Sequence, residues 1–298
     1  MAMTSQNQSY ALDEVVSAAA FESLMTGPMY TPTLFGIQQG TGFRDRFAAF
    51  GSLGRLQPKT ASQAGAQDNM RQHFYKDFTH QAYGKTIEME REARDDNRWG
   101  LSQRLGVAFG EAVQYTMEVD GAELFSGAFT TVLSQDGLTL CNTAHLNGSG
   151  GNSQSNRGTS ALSMATVRST REAMKRFKNL DGNVQGASPD ELIVPPELEE
   201  DAWAIIRSTG RPDSPNRAEN MYFGMFSLYV LDKMGSDAND WFMCDSIRRK
   251  RNLLWLSRVS PEFFTSLDQF TGNQKFGCYT RYSFGPLNWD WVYGHIVA

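Results

Sequence analysis

The chain has 298 residues, enough for roughly two domains and a sizeable core, so a disulfide-stapled peptide or fibre is excluded. Hydrophobic residues make up 40% and charged residues 20%, which excludes a disordered chain, and a net charge of −5 argues against a dedicated nucleic-acid-binding domain. Three cysteines (Cys141, Cys244, Cys278) without CxxC spacing support neither a disulfide framework nor a thiolate zinc site, and no run approaches the ~20 apolar residues of a membrane span.

The first basic residue is Arg44, so the N-terminus lacks the charged start of a signal peptide. A short apolar helical patch spans Val15 to Leu24. Two prolines and four glycines in 26–42 then predict no regular element, and residues 1–42 read as an arm. Strand-like patterns follow at 43–50 and 73–89, the second with Ile87 and Met89 alternating with Glu88 and Glu90. Between them, 51–72 holds only Leu53, Leu56 and Met70 as large apolar side chains, too few to bury a core. A long two-stranded excursion over 43–91, lying on a neighbouring molecule, is the expectation. Its contact candidates are Leu53, Leu56, Lys59, Phe74, Tyr75, Phe78 and Tyr83.

The proline-free stretch 92–129 predicts a long helix, opening with Glu92, Asp95 and Asp96 and carrying a stripe of Leu101, Leu105, Ala108, Ala112, Tyr115, Val119 and Ala122. Glycines at 100, 106 and 110 weaken such a helix in isolation, so packing must hold it. Residues 147–161 lack any large apolar side chain and read as a loop separating two halves. Ser163 then caps a helix with an apolar side of Met164, Val167, Met174 and Phe177 and an otherwise basic surface. In "ELIVPPELEEDAWAIIRSTG", a strand at 192–194 meets a Pro-Pro stop, an acid-rich helix start and a Gly210 terminator. Segments 222–231 and 241–244 read as buried strands, and 275–284 alternates Phe276, Cys278, Thr280, Tyr282 and Phe284 on one face. Trp289, Trp291 and Tyr293 at period two predict a final strand tied into a sheet.

Chemistry offers few leads. Cys141 and His145, with Asp136 as orienting group, have the residue types of a cysteine hydrolase without its local signature. His73, His80, His145 and His295 are scattered, which predicts no metal site, and no phosphate-cradling glycine motif predicts a nucleotide cofactor. The acid groups Asp95/Asp96 and Glu199/Glu200/Asp201 fit helix starts. Two basic runs, Arg168, Arg171 and Lys175 on one helix and Arg248, Arg249, Lys250 and Arg251 on another segment, fit either a surface for phosphates or acidic partners, or a solvated turn and inter-subunit salt bridges. No catalytic residue is expected.

The order of parts, carried by "DGLTLCNTAHLNGSGG" (136–151), "LSMATVRSTREAMKRFKNLDGNV" (162–184), "ELIVPPELEEDAWAIIRS" (191–208) and "WFMCD" (241–245), resembles the major capsid protein of tailed bacteriophages with the Hong Kong 97 fold. More narrowly it is similar to the Mu-type major head subunit family. The resemblance implies an α+β fold with an N-terminal arm (1–42), an extended two-stranded loop (43–91), a peripheral domain with a spine helix (92–159 and 256–298) and an axial α/β domain (160–255). It implies a non-enzymatic, cofactor-free shell subunit of the virion, assembling in the host cytoplasm into pentamers and hexamers around double-stranded DNA that it contacts non-specifically. A separate scaffolding protein, a portal and optionally a decoration protein would be its other partners, and no membrane. A cargo-holding compartment shell of the same fold is the alternative within the fold, and the hydrolase the alternative outside it.

Overall fold

The computed structural model describes residues 5–26, 29–50, 58, 72–96, 101–146, 153–179, 182–211, 219–235 and 239–297. In chain order these form α1 (Ser5–Thr26), α2 (Thr31–Leu34), β1 (Gly36–Gln39), β2 (Arg44–Phe50), β3 (Gln72–Thr79), β4 (Gln81–Met89), α3 (Arg91–Asp95) and α4 (Leu101–Ser126). Then come β5 (His145–Leu146), β6 (Ser153–Gln154), β7 (Arg157–Gly158), α5 (Met164–Lys175), β8 (Glu191–Val194), α6 (Glu199–Arg207), β9 (Ser227–Val230), β10 (Trp241–Cys244), α7 (Ser246–Asn252), β11 (Leu253–Leu267), β12 (Gln274–Pro286) and β13 (Val292–His295).

Two sheets organise the chain. One has the order β1-β11-β12-β4 and the other β7-β13-β10-β8-β9. The long helix α4 crosses from one to the other. Phe109 and Val113 pack with Phe276 and Cys278 of β12, while Leu124 and Phe125 near its far end join the core around Phe242 and Trp291.

The described part of the N-terminal region packs on its own chain. β1 pairs in parallel with β11, and Leu34 and Phe35 just before it are buried, Phe35 edge-on to Trp255 at 5.4 Å. α1 lies along α4, and the glycines of α4 make that possible. A Cβ on Gly106 would stand 2.4 Å from the Val16 carbonyl oxygen, and one on Gly110 would stand 2.4 Å from that of Ala20. The same contact shifts the buried face of α4 from the expected stripe. Gly106, Phe109, Gly110 and Val113 point inward, while Ala108 and Tyr115 face solvent. Glycine scores as no hydrophobe, yet here it marks the closest approach of two backbones. Asp95 and Asp96 close the short α3 rather than opening α4.

The expected excursion over 43–91 divides at His80. Among the described residues β2 pairs with β3 alone, but β4 pairs along its length with β12 as an edge of the first sheet. Part of the expected loop at 147–161 is also ordered structure. β7 adds to β13, and Asn156, fully buried, donates to the Leu140 and Val292 carbonyls while accepting from the Asn142 amide. β13 joins the second sheet rather than returning to the first, so the sheets do not follow the expected division at residue 256. Elsewhere local signals hold. Ser163 makes a capping box with Thr166, and Pro195–Pro196 separate β8 from α6, whose first turn is Glu199, Glu200 and Asp201.

Candidate assembly surfaces

The root of the β2–β3 hairpin is fastened to its own chain. Phe78, with Phe47 edge-on at 5.6 Å, packs on Leu254 and Leu256. Lys76 Nζ donates to the carbonyls of Leu133 (2.5 Å) and Pro286 (2.8 Å), and Gln135 Nε2 donates to those of Phe47 and Phe74. Burial pulls the Lys76 amine down to about 8. At the pivot, the buried His80 ring meets Asp45 Oδ2 at 3.0 Å and Ser283 Oγ at 2.9 Å. Burial raises the Asp45 carboxyl, but hydrogen bonds from Thr41 and His80 outweigh it and hold the group below its ordinary value.

These contacts correct several expectations. Phe78 is core, so its ring is not offered to a neighbour; Tyr83, stacked on Tyr282 at 4.5 Å, and Phe74 are half-buried. Tyr75 is exposed, with the Arg46 guanidinium 4.4 Å above its ring. Leu53, Leu56 and Lys59 lie outside the described residues.

The run 248–251 is not a uniform basic face. Arg249 is fully buried, its Nε 2.6 Å from Glu191 Oε2 and its Nη2 2.7 Å from Glu191 Oε1, with both terminal nitrogens also donating to the Thr33 carbonyl. It cannot face DNA. Burial pulls its pKa down, yet the Glu191 bonds prevail and raise it. Arg248 is committed to Asp290 at 3.0 Å and to the carbonyls of Gln185 and Gly186. Only Lys250 and Arg251 of this run are exposed, as are Arg168 and Lys175, with Arg171 half-buried.

No cysteine–histidine pair forms. Cys141 is buried against Gly294 with its thiol pKa driven up by burial, whereas the His145 ring lies 2.6 Å from Asp136 Oδ2 and stacks on Trp289 at 4.4 Å. Among the described residues no cluster of metal-ligating side chains occurs, and no helix is long and apolar enough to cross a membrane.

A surface that the sequence reading missed lies at the outer end of the β11–β12 ribbon. Phe264 and Leu267 are about half exposed and Phe270, in the turn, is 100% exposed. The turn is well held, Asp268 accepting from the Phe270 and Thr271 amides, so an ordered scaffold presents these rings to solvent. Phe264 and Leu267, three residues apart in an unbroken register, stand on opposite faces of the ribbon.

A long helix lying across a four-stranded sheet, a β-hairpin rooted on that sheet, and a second α/β layer ending in edge strands fit the class of capsid shell proteins with the Hong Kong 97 fold. The solved structures agree. The capsid of the cyanophage P-SCSP1u is similar with a TM-score of 0.60 at 11% identity, covering 91% of this chain and 88% of that one. The bacteriophage JBD30 capsid gives 0.58 at 13% identity, over 70% and 92%, and a virus-like particle from Pyrococcus furiosus gives 0.55 at 9%, over 95% and 98%. No curated protein matches the sequence. Residues 75–294 match the family described as phage capsid protein, and the chain belongs to that family. Its function is that of a major capsid protein, a structural component of the virion head.

Proposed function

We propose that copies of this chain form pentamers and hexamers that tile an icosahedral head around packaged double-stranded DNA, and that the chain is a Mu-type major head subunit. The observation carrying this is the ordered ribbon end with Phe264, Leu267 and Phe270, apolar area that a monomer would leave in water. In this reading the hairpin is rooted on its own subunit through Lys76 and Gln135. Residues 92–159 and 256–298, apart from β7 and β13, act as the peripheral domain, and 160–255 with β7 and β13 as the axial domain. A separate scaffolding protein, a portal and optionally a decoration protein complete the assembly, and the DNA is held without sequence preference. Each subunit repeats its contacts around the shell, so modest interfaces add up.

Negative-stain microscopy of the purified chain tests this. Capsomers or closed shells are expected. A uniform monomer would overturn the reading, and shells filled with protein cargo in place of DNA would favour a compartment shell.

A further inference from the structure

Strand register puts α5 and α6 on one face of the second sheet. Tyr293 and His295 of β13 meet α5 and the residues after it through Phe177 and Thr170. They are paired with Met243 and Trp241 of β10; Met243 pairs with Leu192 of β8, and Leu192 and Val194 pair with Leu228 and Val230 of β9. Directly paired residues share a face, and Leu228 and Val230 line a groove with Ile206 of α6.

Two patches of opposite charge stand on this face. Arg168, Arg171 and Lys175 form one wall of a cleft of about 480 Å³, and the facing segment supplies Arg211, Glu219 and Met221. With Glu172 on the first wall, four cations meet two carboxylates. The Arg168–Glu172 pair, at 3.1 Å, is solvent-exposed and worth little, so it can exchange partners. Among the described residues Arg171 Nε is buried without a hydrogen-bond acceptor, and Met221 is 64% exposed. The complement is the start of α6, where Glu197, Glu199, Glu200 and Asp201 are all exposed and Trp203, 57% exposed, follows.

A contact that propagates around a ring joins two different patches of the same chain. We propose that the first turn of α6 of one copy seats in the α5 cleft of the next, Glu199, Glu200 and Asp201 against Arg168, Arg171 and Lys175, with Trp203 against Met221. The proposal rests on the shell reading and names the partner of this cleft. Packaged DNA would satisfy the cations but would leave the exposed Met221 without an apolar partner, and would repel the acidic turn.

Three full-chain variants test it: E199R/E200R, R168E/R171E and the fourfold combination. Each double variant is expected to need about tenfold or more protein to form capsomers, with circular dichroism unchanged and melting lowered by no more than the lost helix-terminus charges of E199R/E200R explain, and the fourfold variant to recover assembly. Lys175→Glu, at an exposed site, reports the same contact should a change at Arg171 disturb α5. An equimolar mixture of the two double variants restores contacts only where they alternate, so it closes rings of six but not of five. If the double variants assemble like the parent chain, or if R168E/R171E builds normal shells that merely retain less nucleic acid, the proposal is overturned while the shell reading stands. A parent chain that never leaves the monomer overturns both.

Discussion

Replacing Arg249 with Met leaves the Glu191 carboxylate, 3% exposed, without its two charged hydrogen bonds and takes two donors from the Thr33 carbonyl. Removing one member of a buried ion pair costs about 3–5 kcal/mol, because the surviving charge stays desolvated. Replacing both, as Glu191→Leu with Arg249→Met, removes the orphaned charge and should cost only about 1 kcal/mol, chiefly at Thr33. Urea denaturation of the purified subunit for the parent, both single variants and the double variant closes a double-mutant cycle, with an expected coupling of about 5 kcal/mol or more. A cost below about 1 kcal/mol for Arg249→Met would mean that the guanidinium behaves as a surface cation, and the assignment of Arg249 as the tie between β8, α7 and the N-terminal segment would fail.

Gly110→Leu should force α1 off α4, since even a Cβ there would sit 2.8 Å from that of Ser23; loss of about 1–3 kcal/mol and faster proteolysis within α1 are expected, and an unchanged cleavage pattern would contradict the close contact. Burial holds His295 down at about 4 from an ordinary 6.5, so it is neutral in the folded chain where the unfolded chain is protonated. Stability should therefore fall by up to ~3 kcal/mol as pH drops from 6.5 toward 4, a slope that His295→Gln removes in acid-unfolding curves. Lys76 has the same sign at higher pH: the hairpin root should gain hydrogen-exchange protection, after correction for intrinsic exchange, as pH rises from about 8 toward 10.5, and Lys76→Met should abolish the gain. Cys141, its pKa raised by complete burial, should resist thiol reagents at pH 8 until the chain unfolds; rapid native labelling would reopen the question of its reactivity.

What the sequence disclosed was what neighbouring residues decide among themselves. The capping box at Ser163 lies within four residues, the strand-to-helix step at Pro195 within ten, and the alternation of Phe276 to Tyr282 needs only a buried sheet face. Contacts between distant segments were hidden. Arg249 reads as one cation in a run of four because Glu191 stands 58 positions away. The inward face of α4 was misplaced because its key residues are glycines, which count as apolar only once α1 is seen against them. The break at His80 has no Gly or Pro to announce it; it arises because His80 turns to Asp45 and Ser283. The cleft beside α5 was equally unreadable, since its walls come from either side of β8 and α6. The resemblance to head proteins supplied the α+β architecture and the shell, but not which side chains would meet a neighbour.

The position of β13 bears on how the subunit matures during translation. Strand 292–295 lies between β7 and β10, so the sheet's interior is filled by a segment synthesised after every strand it joins. A nascent chain halted before it would expose two unpaired edges and the bare side of Trp241, a species suited to chaperones and to misassociation rather than to ring building. Nonsense fragments would thus be screened from the growing head by topology itself.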